Sequence, residues 1–223
     1  AGFSPENLIE LTKEVYHSID SLNLAFVKRV KDNHQKVDCK KGCYWCCSQA
    51  IFVNQHEAVY LADYIQRKFT RQDLNKIKKL VTAFHQVTSE MTLRTRFLYK
   101  RFCPFLQNGE CSVYNARPVA CRAYLSMNVK SCLYEYKFPA DPDHYPKLFD
   151  FPLHASKMLN EGIAAYFREK NHEVFEMPLE TALHTCLQFD DPYNAWLDGK
   201  LVFQEPAFDT EDLDLLDQHM VNL

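Results

Sequence analysis

The sequence predicts a mainly α fold: a single helical domain over residues 1–223, with a small irregular cysteine-rich metal-binding insert containing one short β-hairpin. Three observations carry this expectation. Apolar residues recur at three- and four-residue spacing through most of the chain. Only 5 glycines in 223 residues leave little material for the turns of an all-β fold. Eight of the nine cysteines fall in two windows, 37–50 and 102–133, where the helical spacing breaks.

The elements follow in order. Ser4-Pro5-Glu6 opens a helix, with Ser at the N-cap and Pro at the first helical position. Leu8, Leu11, Val15, Ile19, Leu22, Phe26 and Val30 place one apolar stripe along it to about Asn33. The first cysteine window comes next. Asn54-Gln-His-Glu57 then reads as a capping box, and Ala58, Leu61, Ala62 and Ile65 give the second helix its stripe. Thr70-Arg-Gln-Asp73 opens a third, with Leu74, Ile77, Leu80, Val81, Phe84 and Val87 on one face and an expected extension towards Leu98. Asn108-Gly109, between Cys-Pro-Phe-Leu and Cys-Ser-Val-Tyr, is a hairpin-turn signal that brings Cys103 and Cys111 towards each other. Residues 137–152, with four prolines, read as an ordered connector. Further helices are expected over Leu153–Lys170, Leu179–Gln188, Asp191–Gly199 and Thr210–Val221.

Composition narrows the setting. A hydrophobic content of 47% supports a sizeable core, and no apolar run approaches the roughly eighteen residues of a membrane span. Ala-Gly-Phe-Ser-Pro-Glu lacks a basic-then-apolar leader, so a cytoplasmic location is expected. The net charge of −3 predicts no general attraction to nucleic acid. Charge is nevertheless uneven: residues 67–101 are strongly basic, and residues 190–217 are strongly acidic. Two solvated helix faces account for this best; a basic surface screened by an acidic tail is the sharper alternative.

Nine cysteines in 223 residues is far below the content of a disulfide-stapled secreted domain, and the number is odd. In a reducing compartment such clustering points to metal or redox chemistry instead. The first window reads Cys39-Lys-Lys-Gly-Cys43-Tyr-Trp-Cys46-Cys47. The second reads Cys103-Pro-Phe-Leu-Gln-Asn-Gly-Glu-Cys111, then Cys121-Arg122 behind Asn-Ala-Arg-Pro, then Cys132. Thiolates at two- to four-residue spacing wrap several sulfurs around one metal or cluster. Neither window alone makes a comfortable site, so the two are expected to converge. Adjacent Cys46 and Cys47 tend to diverge, which suits one facing the main site and the other a second metal, a hydrogen bond or redox exchange. One four-thiolate cluster with spare thiols and a dinuclear site both satisfy the count.

The run Cys-x3-Cys-x2-Cys-Cys, followed by Cys-Pro-Phe-Leu-x2-Gly-x-Cys-x-Val-Tyr-x2-Arg-Pro-x2-Cys-Arg-x-Tyr, resembles the bacterial YkgJ-type cysteine-cluster family, a zinc- or iron-chelating CxxCxxCC domain. The match covers Cys39–Cys47 and Cys103–Tyr124, with Cys132 as an additional member. One departure is the three-residue gap between Cys39 and Cys43. The resemblance implies chelation of zinc or iron without an agreed reaction; on the thiol count, the iron form is a candidate [4Fe–4S] cluster.

Four thiolates around either centre leave net negative charge, which Arg117 and Arg122 are placed in sequence to offset. Trp45 and Tyr124 are candidates to shield the site. The Cys39-x3-Cys43-x2-Cys46 spacing also occurs in radical-SAM enzymes. There the motif follows a strand of a Gly-rich barrel, and here an amphipathic helix precedes it. His34 is a possible auxiliary ligand or a solvated helix end, His56 sits in an ordinary first turn, and Cys186 on a helical stripe reads as a small buried hydrophobe. The leading reading is a protein holding Zn²⁺ or an iron–sulfur centre through Cys39, Cys43, Cys46, Cys47, Cys103, Cys111, Cys121 and Cys132. The alternatives are an iron–sulfur-dependent redox or group-transfer enzyme and a zinc-stabilised protein or RNA interaction module.

Overall fold

The computed structural model describes residues 3–172 and 174–206. Helix α1 (Pro5–Asp32) starts as the sequence predicts, the Ser4 hydroxyl accepting from the Asn7 N–H. After the first cysteine window, strand β1 (Phe52–Asn54) runs into α2 (Gln55–Lys68). The capping box is present: Glu57 accepts from the Asn54 N–H. Helix α3 (Arg71–Thr88) is capped by Thr70.

The expected continuation of α3 to Leu98 does not occur. The helix stops at Thr88, and a separate short helix, α4 (Leu93–Leu98), restarts under a Thr92 cap. Thr88 ends α3 because its hydroxyl bonds both the Phe84 carbonyl and Glu180, while its own carbonyl accepts from Arg96. Arg96 in turn forms a buried ion pair with Glu180. A tertiary interaction thus overrides the helical pattern.

The Asn108-Gly109 hairpin forms as β2 (Leu106–Gln107) and β3 (Glu110–Cys111), both turn residues having positive φ as the tight turn requires. Two short helices in the second window were not foreseen: α5 (Val119–Ala123) and α6 (Val129–Lys137). Helix α7 (Asp150–Glu169) begins three residues before the expected Leu153, with Pro152 inside the first turn, where its missing N–H costs nothing. Strand β4 (Glu176–Pro178) pairs antiparallel with β1, Val53 opposite Met177, and leads into α8 (Leu179–Cys186) and α9 (Pro192–Leu197). The expected Thr210–Val221 helix lies outside the described residues. The mainly α class with one short hairpin holds, the β1–β4 pair being the addition.

One hydrophobic cluster draws on both ends of the described chain. Leu8, Tyr16 and Ile19 of α1 share it with Leu61 and Ile65 of α2, Ile77 and Val81 of α3, Phe167 of α7 and Leu183 of α8. Cys186 is fully buried there, as its apolar stripe predicts. His34 is exposed just past the end of α1. The basic run does not make one surface: Arg96 and Lys100 are buried against Glu180 and Glu135, and the Lys68 ammonium donates to the Ser112 carbonyl. Among the described residues, no helix is long and apolar enough to cross a membrane.

Candidate metal centre

The two cysteine windows meet. The Cys103 N–H donates to the Cys47 carbonyl at 2.8 Å, stitching the end of the first window to the start of the second. Cys46 and Cys47 sit in a single 3₁₀ turn, Trp45–Ser48, closed by the Cys47 N–H on the Tyr44 carbonyl. The remaining pieces are the hairpin carrying Cys111, helix α5 carrying Cys121 and helix α6 carrying Cys132.

Local backbone turns prepare several sulfurs. The Trp45, Phe105 and Val113 N–H groups, each two residues ahead, act to lower the pKa of Cys43, Cys103 and Cys111. Cys39 accepts from the Ser126 N–H at 3.1 Å. N–H donors of this kind favour the thiolate. Burial opposes them and pushes the Cys39 thiol up to about 11. It likewise raises Cys103, Cys121 and Cys132, so these sulfurs are neutral thiols until a cation is present. Cys46 is raised first by its hydrogen bond with Cys47, then by burial. Among the described residues, no three His, Cys, Asp or Glu side chains are placed so that they could hold an ion as they stand.

Helix α5 is held by a residue whose part the sequence did not disclose. Besides capping α2, the buried Glu57 carboxylate accepts from the Val119 N–H at 2.7 Å and from the Tyr16 hydroxyl at 3.2 Å. It therefore joins α1, α2 and the start of the helix that carries Cys121. The capping-box pattern signals only the local half of that role. Ser126 and the buried Lys100–Glu135 pair were also missed. Lys100 reaches Gln49 at 2.7 Å and Glu135 at 2.8 Å, tying the chain just after Cys47 to α6. Nothing local in the sequence marks either.

The two arginines share Asp20 and otherwise have different surroundings. Arg122 is buried, its guanidinium spent on Asp20 and on the carbonyls of Arg117 and Asn115, over the face of Tyr16. It anchors α5 to α1. Arg117 is the one whose charge reaches Cys46, Cys111 and Cys121. Its Nε is buried without a hydrogen-bond partner, and its guanidinium lies 3.8 Å from the centre of the Tyr114 ring. Trp45 packs with Tyr44, Phe102 and Tyr136, forming an aromatic wall on the first window. Tyr124 is half-buried beside the cluster, within electrostatic reach of Cys39, Cys46 and Cys132. On the other side of the windows, Cys47 and Cys103 line a small cavity of about 40 Å³ between α3 and α8.

An insert of clustered thiols tied to two helices by a bridging carboxylate invites comparison with known metal-binding segments. Residues 38–140 match the CxxCxxCC family. The matching description is "putative zinc- or iron-chelating domain", and the matched span contains all eight clustered cysteines, Cys132 included. No curated protein and no solved structure matches the chain. The match supports metal binding in general. The CxxCxxCC segment also fits a metal on its own chemistry. Its donors are soft sulfurs suited to Zn²⁺ or iron, and the unpartnered Arg117 Nε–H is a buried donor lacking an acceptor beside thiols that become negative on binding.

Proposed function

We propose that this protein holds Zn²⁺ or iron through the thiolates of its two cysteine windows, acting as one unit in which the helices around the CxxCxxCC segment fix the ligands. The observation that carries this reading is the convergence of the windows: the Cys103–Cys47 backbone tie, with Cys46 in electrostatic reach of Cys111 and Cys121 from the second window. Cys39, Cys43, Cys46, Cys47, Cys103, Cys111, Cys121 and Cys132 are the candidate ligands. A bound ion draws off the thiol protons that burial otherwise retains, so loading is coupled to proton release. Arg117 then offsets the thiolate charge, and Arg122 acts through α5 by fixing Cys121.

Between the metals, an iron–sulfur centre is the reading to test against zinc. Anaerobic purification followed by a visible spectrum and metal analysis decides it. A brown protein with a broad band near roughly 400 nm identifies an iron–sulfur centre; a colourless one with stoichiometric zinc identifies a closed thiolate site. Replacing Cys43 or Cys121 by Ser lowers the metal content in either case. Unchanged stoichiometry in both variants would sink the proposed ligation.

A further inference from the structure

Helices α3 and α8 meet along a seam in which two histidines face each other. The rings of His85 and His184 stack, with centroids 4.5 Å apart and planes 16° from parallel. A threonine of the opposite helix holds each imidazole. His85 Nδ1 shares a hydrogen bond with the Thr181 hydroxyl at 3.2 Å, and His184 Nδ1 shares one with the Thr82 hydroxyl, also at 3.2 Å. The arrangement is reciprocal, because Thr82 and His85 are neighbours on one face of α3, and Thr181 and His184 on one face of α8. Both histidines are half-buried.

The next level of the seam is the buried network in which Glu180 accepts from the Thr88 hydroxyl at 2.8 Å and pairs with Arg96. Phe84 and Thr88 of α3, with Glu180 and Leu183 of α8, line the small cavity that Cys47 and Cys103 also border. The two helices are therefore a wall of that cavity, and the stacked rings hold the wall together. Each threonine hydroxyl can donate to an unprotonated Nδ1 or accept from a protonated one, so the threonines tolerate either state. The opposite ring does not. Two positive imidazoles at this spacing repel, and half-burial removes part of the water that would screen them. Burial and the charge of His184 hold the His85 imidazole below its ordinary range, with Arg96 acting in the same sense and Glu180 against them. None of the charged groups acting on His85 comes from α2, β1 or β4, which also pack against α8. Glu180 and Arg96 are spent on each other, which leaves the carboxylate little to offer a second proton.

We propose that His85 and His184 form a proton-sensitive clasp between α3 and α8, closed while the pair carries no more than one proton and opened when both rings are protonated. Acid then loosens the cavity wall beside Cys47 and Cys103. The direction follows from linkage. The open seam takes up a proton that the closed one refuses, so closure is intact above the ordinary histidine value of about 6.5 and is lost as pH falls below it. One refused proton raises the open population about tenfold between pH 7.5 and pH 5.5. The clasp acts whether or not the cysteines hold a metal, since neither ring nor threonine belongs to the two cysteine windows.

NMR titration of the imidazole signals in the full chain tests the pair directly. His85 and His184 should titrate as coupled groups in two steps, the second displaced to lower pH. Independent single steps, both in the ordinary range, overturn the proposal. Amide hydrogen exchange, corrected for the intrinsic effect of pH, tests the opening. His85→Phe and His184→Phe each keep a ring in the stack and remove one site of protonation. Between pH 7.5 and pH 5.5, the loss of protection in α3 and α8 should be about tenfold smaller in either variant than in the unsubstituted protein. His56 contributes equally to all three proteins, so the difference isolates the clasp. An acid response that is the same in both variants as in the unsubstituted protein overturns the proposal. Where a variant fails to fold, the titration of the unsubstituted protein still decides.

Discussion

The Cys103 N–H and the Cys47 carbonyl, 2.8 Å apart, join two cysteine windows separated by three helices. The hydrogen bond is a main-chain one, so the ends of the windows are juxtaposed by the fold and not by side-chain chemistry. Convergence is therefore expected to survive removal of the metal, whereas ligand geometry is not.

The hairpin turn is the first place to test that statement. Gly109 has φ of +80°, and an added Cβ would meet the Tyr44 ring at 3.7 Å, an ordinary contact. The cost of Gly109→Ala is therefore conformational and not steric, about 1–2 kcal/mol for an L-residue in the left-handed region. Thermal unfolding should show that loss, and Gly109→Asn should recover part of it because Asn tolerates this region. A Gly109→Ala midpoint equal to wild type would refute the turn assignment.

Arg96 and Glu180 give a stronger effect. Both side chains are about 9% exposed, and Thr88 is bonded to both of them. Arg96→Met leaves a buried carboxylate without its partner and should cost about 3–5 kcal/mol. The double variant Arg96→Met/Glu180→Leu should be markedly more stable than Arg96→Met alone. Denaturant unfolding of the two proteins makes the comparison.

His56 sets an acid limit. Burial against Phe167 holds its imidazole neutral, lowering its pKa to about 3, and Nδ1 has no partner. The unfolded chain takes up the proton below about 6.5 while the folded one refuses it, so stability is intact above about pH 6.5 and is lost as pH falls towards 3. At pH 4.5 the loss amounts to about 2–3 kcal/mol. His56→Leu should remove it, so the stability difference between variant and wild type should move in the variant's favour between pH 7 and pH 4.5. A difference that stays constant across that range would exclude His56 as the source.

Arg117 and Arg122 should behave differently when replaced. Arg117→Met removes the cation facing Cys46, Cys111 and Cys121 and should weaken metal binding about tenfold to a hundredfold in chelator competition, with little change in the helical signal. Arg122→Met instead strips two carbonyls of their donor and leaves Asp20 only its contact with Arg117 at 3.4 Å, and should lower the thermal midpoint. Equal effects of the two changes on affinity would contradict the separation.

Much of this was legible in the sequence because it is local. The Ser4, Asn54 and Thr70 caps, the apolar stripes, the Asn108-Gly109 turn and the burial of Cys186 each depend on a few consecutive residues. The break in α3 at Thr88 was not legible, because it answers to Arg96 and Glu180 from elsewhere in the chain. The same holds for α5, whose first turn is seated by Glu57, and for the β1–β4 pair, whose strands are three residues each. In the candidate site, the clustering of the thiols in two windows was readable from spacing. The contact of both Cys39 and Cys132 with Ser126 was not, since a serine in a short loop carries no pattern.

The pairing of Phe52–Asn54 with Glu176–Pro178 has a consequence for how the chain is made. Synthesis runs from the N-terminus, so all eight clustered cysteines emerge from the ribosome well before Met177 arrives to complete the strand pair, and Cys39, Cys43, Cys46 and Cys47 precede even Val53. All eight thiols thus wait, before α7 and α8 are made, for the length of chain that separates Cys132 from Cys186. In that interval they are open to oxidation and to the wrong ion alike, and whatever supplies the correct one has its best opportunity while the polypeptide is still growing.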